Sequence, residues 1–304
     1  MKFEVTILGC GSAVPTLSRT SSTQLVNYRE KYFLLDCAEG TQHNLKKYNI
    51  RMQRIKHIFI THAHADHFLG LPGLLSTMSL LGRTQEIHIY AAPGIESFLR
   101  SFGEVTYGKL QFEVHYHTLN YTQPEKLYED SELIIRSVPL KHSAPCCGFI
   151  LEEKPKLRPM IPEKIAEYNI PHYVINNIKE GNDFFTEDGE RIPYTELTKP
   201  PEKQYRYAYM TDTVYNPELV EKVAGVDVLY HEATFLNDQQ KRAKETKHAT
   251  AEEAAKIARD AKVGRLFLGH FSARYKHLDG FLEEARPVFK NTYLGEDGLT
   301  IKLY

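Results

Sequence analysis

Short apolar runs alternate with amphipathic stretches along most of this chain. Phe3-Glu4-Val5-Thr6-Ile7-Leu8 alternates with a period of two, as a half-buried strand does, and stops at Gly9-Cys10-Gly11-Ser12. Gln24–Tyr28 and Tyr32–Cys37 read as two strands joined by a short polar turn, hence a hairpin. A helix over Gln42–Tyr48 leads to the apolar run His57-Ile58-Phe59-Ile60, a buried strand. Gly70-Leu71-Pro72-Gly73 reads as a turn feeding a helix over Leu74–Leu81. The pattern continues with a strand at Glu86–Tyr90, a helix at Ile95–Phe102 and a strand at Gln111–His117. Two further strands, Glu132–Val138 and Gly148–Leu151, pair naturally.

Residues 152–204 break this regularity. Apolar residues scatter among Pro, Lys, Glu and Asn, from Lys154-Pro155-Lys156 to Lys199-Pro200-Pro201. The stretch reads as an insertion protruding from the core, partly helical at Pro162–Tyr168. Its early basic residues are offset by later acidic ones, so charge alone does not make it a nucleic-acid patch. Alternation then resumes with strands at Tyr205–Met210, Val226–Tyr230 and Arg265–Leu268, and a helix at Glu218–Val223 between the first two. Thr250 is the expected N-cap of a helix over Ala251–Ala261, with Glu253 in the capping-box position. A helix at Phe281–Phe289 and a strand at Leu299–Leu303 close the chain.

Composition narrows the function classes. A chain of 304 residues is one large domain or two modest ones, with ordinary apolar and charged fractions. A formal net charge of −1 supplies no global field toward nucleic acid or anionic membrane, so such binding must use local patches. Cys10, Cys37, Cys146 and Cys147 lack CxxC spacing and read as reduced thiols. Met1-Lys2-Phe3 enters a strand with no signal peptide, and no apolar run is long enough for a bilayer. A cytoplasmic protein without membrane association is the expectation.

The chemistry gathers where strands end. Ile60-Thr61-His62-Ala63-His64-Ala65-Asp66-His67 sets three imidazoles and one carboxylate within six positions, directly after a buried strand. His62 and His64 lie two apart and can point the same way, while Asp66 and His67 follow the bend. A solvated, His-rich turn is the bland alternative, and the HxHxDH spacing argues against it. Imidazole with carboxylate suits zinc and similar divalent ions. His142, Asp212 and His270 each follow a later strand, bringing the candidate ligands to seven: His62, His64, Asp66, His67, His142, Asp212 and His270. One zinc takes three or four, so seven suit two ions sharing a carboxylate. Two metals about 3.5–4 Å apart clamp the attacking and leaving oxygens of a phosphodiester displacement. The absence of a thiolate from the set argues for a hydrolytic site. Gly9-Cys10-Gly11 is rejected as a dinucleotide fingerprint, because Val14 stands where a third glycine is needed and a loop follows.

The series HxHxDH, His142, Asp212 and His270 resembles the metallo-β-lactamase superfamily over nearly the full chain. Within it the sequence is most similar to the ribonuclease Z family, short form, the endonucleases of transfer-RNA 3′ processing. The likeness rests on Thr61–Gly73 (THAHADHFLGLPG), Asp36–His43 (DCAEGTQH), His231–Phe235 (HEATF), His248–Thr250 (HAT) and His270–Tyr275 (HFSARY). HxHxDH marks only the superfamily; HEATF, HAT and SARY together are far more specific. The resemblance implies an α/β fold, an αββα sandwich spanning residues 1–304 as one domain, with 152–204 as an inserted exosite arm. It assigns His62, His64 and His142 to one zinc, Asp66, His67 and His270 to a second, and Asp212 to both, with manganese or another divalent ion as a substitute. It also implies that Asp66 orients or deprotonates the attacking water. His248 is the expected proton donor to the leaving 3′ oxygen, with Glu232 orienting its ring, and the alternative is a purely helix-capping His248-Ala249-Thr250. Arg274 is a candidate phosphate contact, with a salt bridge at a strand end as its alternative.

The activity so implied is removal of the 3′ trailer from precursor tRNA, cutting 3′ of the discriminator nucleotide. It leaves a 3′-hydroxyl on the tRNA and a 5′-phosphate on the trailer. A homodimer is implied as well, one subunit's arm holding RNA cut by the other. The chain departs from the family pattern at Leu17, often lysine, at Thr211, usually glycine, and at Ile170-Pro171, where a Gly-Pro element is usual. Two rivals stand beside this reading: a dinuclear-zinc phosphodiesterase or other hydrolase of the same superfamily acting on a small molecule, and a catalytically silent RNA-binding relative.

Overall fold

Each alternating run at the start of the chain forms a strand. The computed structural model, which describes residues 3–106 and 109–304, begins with β1 (Phe3–Gly9), β2 (Thr23–Tyr28) and β3 (Lys31–Leu35), then α1 (Thr41–Lys47) and β4 (Ile55–Phe59). There follow α2 (Ala65–Phe68), α3 (Gly70–Leu80), β5 (Ile87–Ala91), α4 (Pro93–Thr106), β6 (Val114–Thr118), β7 (Lys126–Glu129), β8 (Leu133–Leu140) and β9 (Cys146–Glu153). The irregular stretch holds α5 (Pro162–Glu167), α6 (Ile175–Lys179), the short hairpin β10 (Phe184–Phe185) and β11 (Arg191–Ile192), and α7 (Tyr194–Leu197). The second half runs β12 (Arg206–Met210), α8 (Leu219–Lys222), β13 (Val228–Glu232), α9 (Gln240–Thr246), α10 (Ala251–Asp260) and β14 (Arg265–Gly269). It ends with α11 (Asp279–Ala285), β15 (Thr292–Leu294) and β16 (Thr300–Lys302).

The strands form two seven-stranded sheets, ordered β16-β1-β2-β3-β4-β5-β6 and β15-β14-β13-β12-β9-β8-β7. Leu34, Ile58 and Ile89 turn one face of the first sheet to Leu45 of α1, Leu74 and Met78 of α3 and Leu99 of α4, forming one apolar cluster. On the second sheet α10 packs against β13 and β14 and against α8 and α11. The other faces of the two sheets meet. Phe59 and Phe149 approach to 5.5 Å between ring centroids, and the buried Tyr207 hydroxyl bonds Gln24. The layers are therefore helix, sheet, sheet and helix, the expected αββα sandwich. β3 to β6 are parallel, as are β12 to β15, so their C-terminal ends line up along the sheet edges where ligand sites form.

Two local expectations are corrected, and one stretch holds more structure than its composition alone indicates. Gly70-Leu71-Pro72-Gly73 is no turn: α3 starts at Gly70, since proline is tolerated in a first helical turn. A Cβ at Gly70 would collide with the Ala38 carbonyl, so glycine lets this helix start seat against the loop after β3. The strand expected over Gln111–His117 begins only at Val114. The irregular stretch is better ordered than its composition suggests. Glu129–Ile134 and Glu152–Tyr205 form a compact unit of their own, with a small core of Ile170, Ile178, Ile192 and Leu197. Among the described residues, no helix is long and apolar enough to cross a membrane.

Candidate metal centre and catalytic cleft

Asp36 follows β3 in the left-handed region, at φ 57°, and this unusual backbone turns its carboxylate into the sheet edge. There it is completely buried and accepts from the Thr61 backbone amide at 2.8 Å, the Thr61 hydroxyl at 3.0 Å and the Tyr209 hydroxyl at 3.0 Å. It also binds His67 Nδ1 at 2.8 Å. Fixing Nδ1 on Asp36 leaves His67 Nε2 for another partner, 3.2 Å from Asp212 Oδ2 and 3.3 Å from Asp66 Oδ2. Burial works against a charged His67, but Asp212 and Asp36 on either side raise its pKa well above the usual histidine value. The space between these carboxylates favours positive charge.

The second half supplies the mirror arrangement. Asp212 and His270 follow β12 and β14, again with left-handed backbone, at φ 54° and 58°. The Thr234 hydroxyl lies 2.8 Å from His270 Nδ1, leaving Nε2 to face Asp212 Oδ1 at 3.4 Å. His142, just beyond β8, places Nδ1 3.1 Å from the Lys247 carbonyl and Nε2 3.3 Å from His64 Nδ1. His64 Nδ1 is 2.9 Å from His62 Nε2, and the Thr61 hydroxyl is 3.1 Å from His62 Nδ1. Burial, then the neighbouring His67, push His62 down to about 2, so its imidazole is neutral at any physiological pH.

All seven sequence-predicted ligands therefore converge. His62, His64 and His142 bring donor atoms within 4.8 Å of one another, as do Asp66, His67 and His270, while Asp212 groups with His62 and His67 and separately with His142 and His248. Zinc bonds of about 2.0–2.1 Å keep tetrahedral donors roughly 3.3–3.4 Å apart, near the separations seen here. The Nε2 atoms of His67 and His270 are buried without a well-directed hydrogen bond. Two orphaned imidazole nitrogens flanking a buried carboxylate are the donor chemistry of a divalent cation, and the residues fit such ions.

Beside these ligands stands a different pair. Glu232, the last residue of β13, is fully buried and accepts from the Thr213 amide at 2.6 Å, the Thr234 hydroxyl at 2.7 Å and the Ala249 amide at 3.0 Å. Its Oε1 binds His248 Nδ1 at 2.9 Å. Burial disfavours the imidazolium, but the Glu232 carboxylate outweighs this and lifts His248 to about 9. The ring centroid lies 5.0 Å from that of His142 and 5.2 Å from that of His270. The cap of α10 is made without it: the Thr250 hydroxyl takes the Glu253 amide and the Glu253 carboxylate takes the Thr250 amide. A cleft of about 350 Å³ opens over Asp66, His142, Asp212, His248 and His270 and includes Arg274. Arg274 makes no salt bridge among the described residues. Its Nη1 donates to Gln239 at 2.8 Å and its guanidinium sits 5.0 Å from the Phe235 ring.

Sequence reasoning gave no role to Asp36, Thr61 or Thr234, which hold the ligands rather than being ligands. All three lie within the family motifs, Asp36 as an aspartate just past an apolar strand, the two threonines as motif residues with no signal of their own. Asp36→Asn keeps a residue that tolerates left-handed backbone while removing the charge behind His67. Metal affinity should fall by about 10–100-fold, as for other groups that orient ligands, read by competition with a chelator.

Residues 3–157 match the family model described as anti-Pycsar protein Apyc1, and residues 199–271 match that of a β-lactamase superfamily domain. Over 302 residues the chain is 45% identical to ribonuclease Z of Bacteroides fragilis strain YCH46, covering 99% of each. Over 301 residues it is 43% identical to ribonuclease Z of Porphyromonas gingivalis strain W83, again with 99% of each covered. Human tRNase Z, short form, is similar in structure with a TM-score of 0.73, 28% identity and 99% coverage of both chains. The metallo-β-lactamase fold protein YhfI of Bacillus subtilis gives a TM-score of 0.69 at 19% identity, a likeness of fold alone.

Proposed function

The chain belongs to the ribonuclease Z family of metallo-β-lactamase-fold enzymes, and on that premise we propose how its residues remove the 3′ trailer of precursor tRNA. It is a metal-dependent endoribonuclease of tRNA 3′ processing. His62, His64 and His142 would hold one zinc, Asp66, His67 and His270 a second, and Asp212 both. Bound there, the ions would polarise the scissile phosphate and make water a competent nucleophile near neutral pH. Asp66 is the least buried of the four carboxylates (Asp36, Asp66, Asp212 and Glu232) and lines the cleft, placed to orient the water and take its proton. With Nδ1 held by Glu232, His248 presents Nε2 to the cleft and donates a proton to the departing 3′ oxygen. Arg274 is positioned for a phosphate oxygen.

The cut falls 3′ of the discriminator nucleotide, leaving a tRNA 3′-hydroxyl and a trailer 5′-phosphate. The compact unit of 129–134 and 152–205 would grip the tRNA away from the cut as an exosite arm, within a single metallo-β-lactamase-fold chain. A homodimer in which one arm serves the neighbouring cleft, and a cytoplasmic location matching four free buried thiols, complete the reading.

What carries it is the pairing of a seven-ligand cluster with the Glu232–His248 couple at one cleft, in a chain aligned end to end with ribonuclease Z. The test offers a 3′-extended precursor tRNA beside bis(p-nitrophenyl) phosphate, after metal analysis. RNA cut at the discriminator is expected, with affinity falling as salt rises because backbone phosphates are neutralised on binding. Turnover of the diester without RNA cleavage would move the function to a small-molecule phosphodiesterase.

A further inference from the structure

The first sheet carries another group of imidazoles, none of which lines the catalytic cleft. In-register pairing of β4, β5 and β6 sets His57, His88 and His115 in one row across three strands, with His117 opposite Tyr90 one step along. The rings of this row stack face to face, His57 on His88 and His88 on His115, each at 4.9 Å with interplanar angles of 17° and 21°. Glu86 lies two residues before His88 and so shares its face of the strand.

Its carboxylate closes the group. Oε1 is 3.7 Å from His88 Nε2 and Oε2 is 3.4 Å from His115 Nε2, and the three donors fall within 4.8 Å of one another. Donors of a four-coordinate zinc stand roughly 3.3–3.4 Å apart, close to the two separations from Glu86, so side-chain movement suffices to close the group on an ion. The far side of His88 is also arranged for ligation. Nδ1 lies 3.0 Å from His117 Nε2, and donation along that bond leaves the His88 Nε2 lone pair facing Glu86.

We propose that Glu86, His88 and His115 form a separate divalent-cation site, taking a borderline first-row ion such as zinc and clipping β6 to β5. β6 is the last strand of its sheet, with a neighbour on one side only. An ion bound to His115 on β6, to His88 on β5 and to Glu86 just before β5 cross-links that edge where hydrogen bonding is one-sided. The alternative is a simple ion pair between Glu86 and a protonated ring, which needs no metal.

Zinc titration separates the two. Protein whose catalytic ligands are already saturated is titrated with Zn2+ by calorimetry, and melting is followed with and without the added ion. The wild type should take one more equivalent per chain and melt higher with it. Glu86→Gln, at a half-exposed position where the fold tolerates an isostere, should weaken that equivalent by about tenfold or more. His88→Gln with His115→Gln should abolish it and the melting shift, while cleavage of precursor tRNA stays at the wild-type level and reports an intact fold. His277→Gln, at an exposed histidine elsewhere, should change nothing. No additional equivalent in the wild type, or one that survives the double substitution, overturns the site.

Discussion

Asparagine at Asp212 is expected to strip the centre of its ions and lower precursor-tRNA turnover by on the order of 10⁴-fold or more. The residue has backbone φ 54°, a conformation asparagine accepts, so the substitution preserves volume and backbone and changes charge alone. Burial disfavours the Asp212 carboxylate, but His270 and His67 hold its pKa well below the usual range, so the group is anionic. Oδ1 faces His270 and His142 at 3.4 and 3.7 Å, and Oδ2 faces His67 at 3.2 Å. An amide there gives up a negative charge shared by both ligand sets. Removing one partner of a buried charged contact costs about 3–5 kcal/mol, equivalent to about 10²–10⁴-fold in affinity. With Asp212 shared as proposed, both ions would bear that loss. Metal content after dialysis, read beside single-turnover cleavage, tests it. Two retained ions with near-normal turnover would mean that Asp212 is not the shared ligand.

The ligands were legible because their chemistry is local. HxHxDH follows a strand within six residues, and His142, Asp212 and His270 each stand just past an apolar run that had to be a strand. What held them in place was not legible. Asp36 meets His67 across 31 residues, a contact created only when β3 and β4 pair. Elements without an apolar face were missed for a related reason. α9 (QKRAKET) buries only Ala243, and β7 (KLYE) has no buried residue, so neither shows a hydrophobic period. β15 is three residues long, too short for a pattern. The small core of the 152–204 stretch is four residues from distant points in that segment, and scattered apolar positions look the same whether or not they meet.

Alanine at His248 should separate proton donation from helix capping. The cap of α10 depends on Thr250 and Glu253 and not on the imidazole, so the variant should keep α10 and its full metal complement, while melting lower for loss of the contact with the buried Glu232. Its kcat on precursor tRNA should nonetheless fall by about 10²–10⁴-fold, the usual contribution of a general acid, or about 2.7–5.4 kcal/mol of barrier. The same variant should lose far less on bis(p-nitrophenyl) phosphate. A ribose 3′ oxygen is a poor leaving group and needs a proton as the bond to phosphorus breaks, whereas p-nitrophenolate departs without one. Glu232 is the reason the ring can serve: its carboxylate fixes Nδ1 at 2.9 Å and leaves Nε2 available on a ring that lines the cleft. Equal losses on both substrates would make His248 a binding or positioning group. Near-wild-type cleavage of the RNA with both metals bound would remove it from the mechanism altogether.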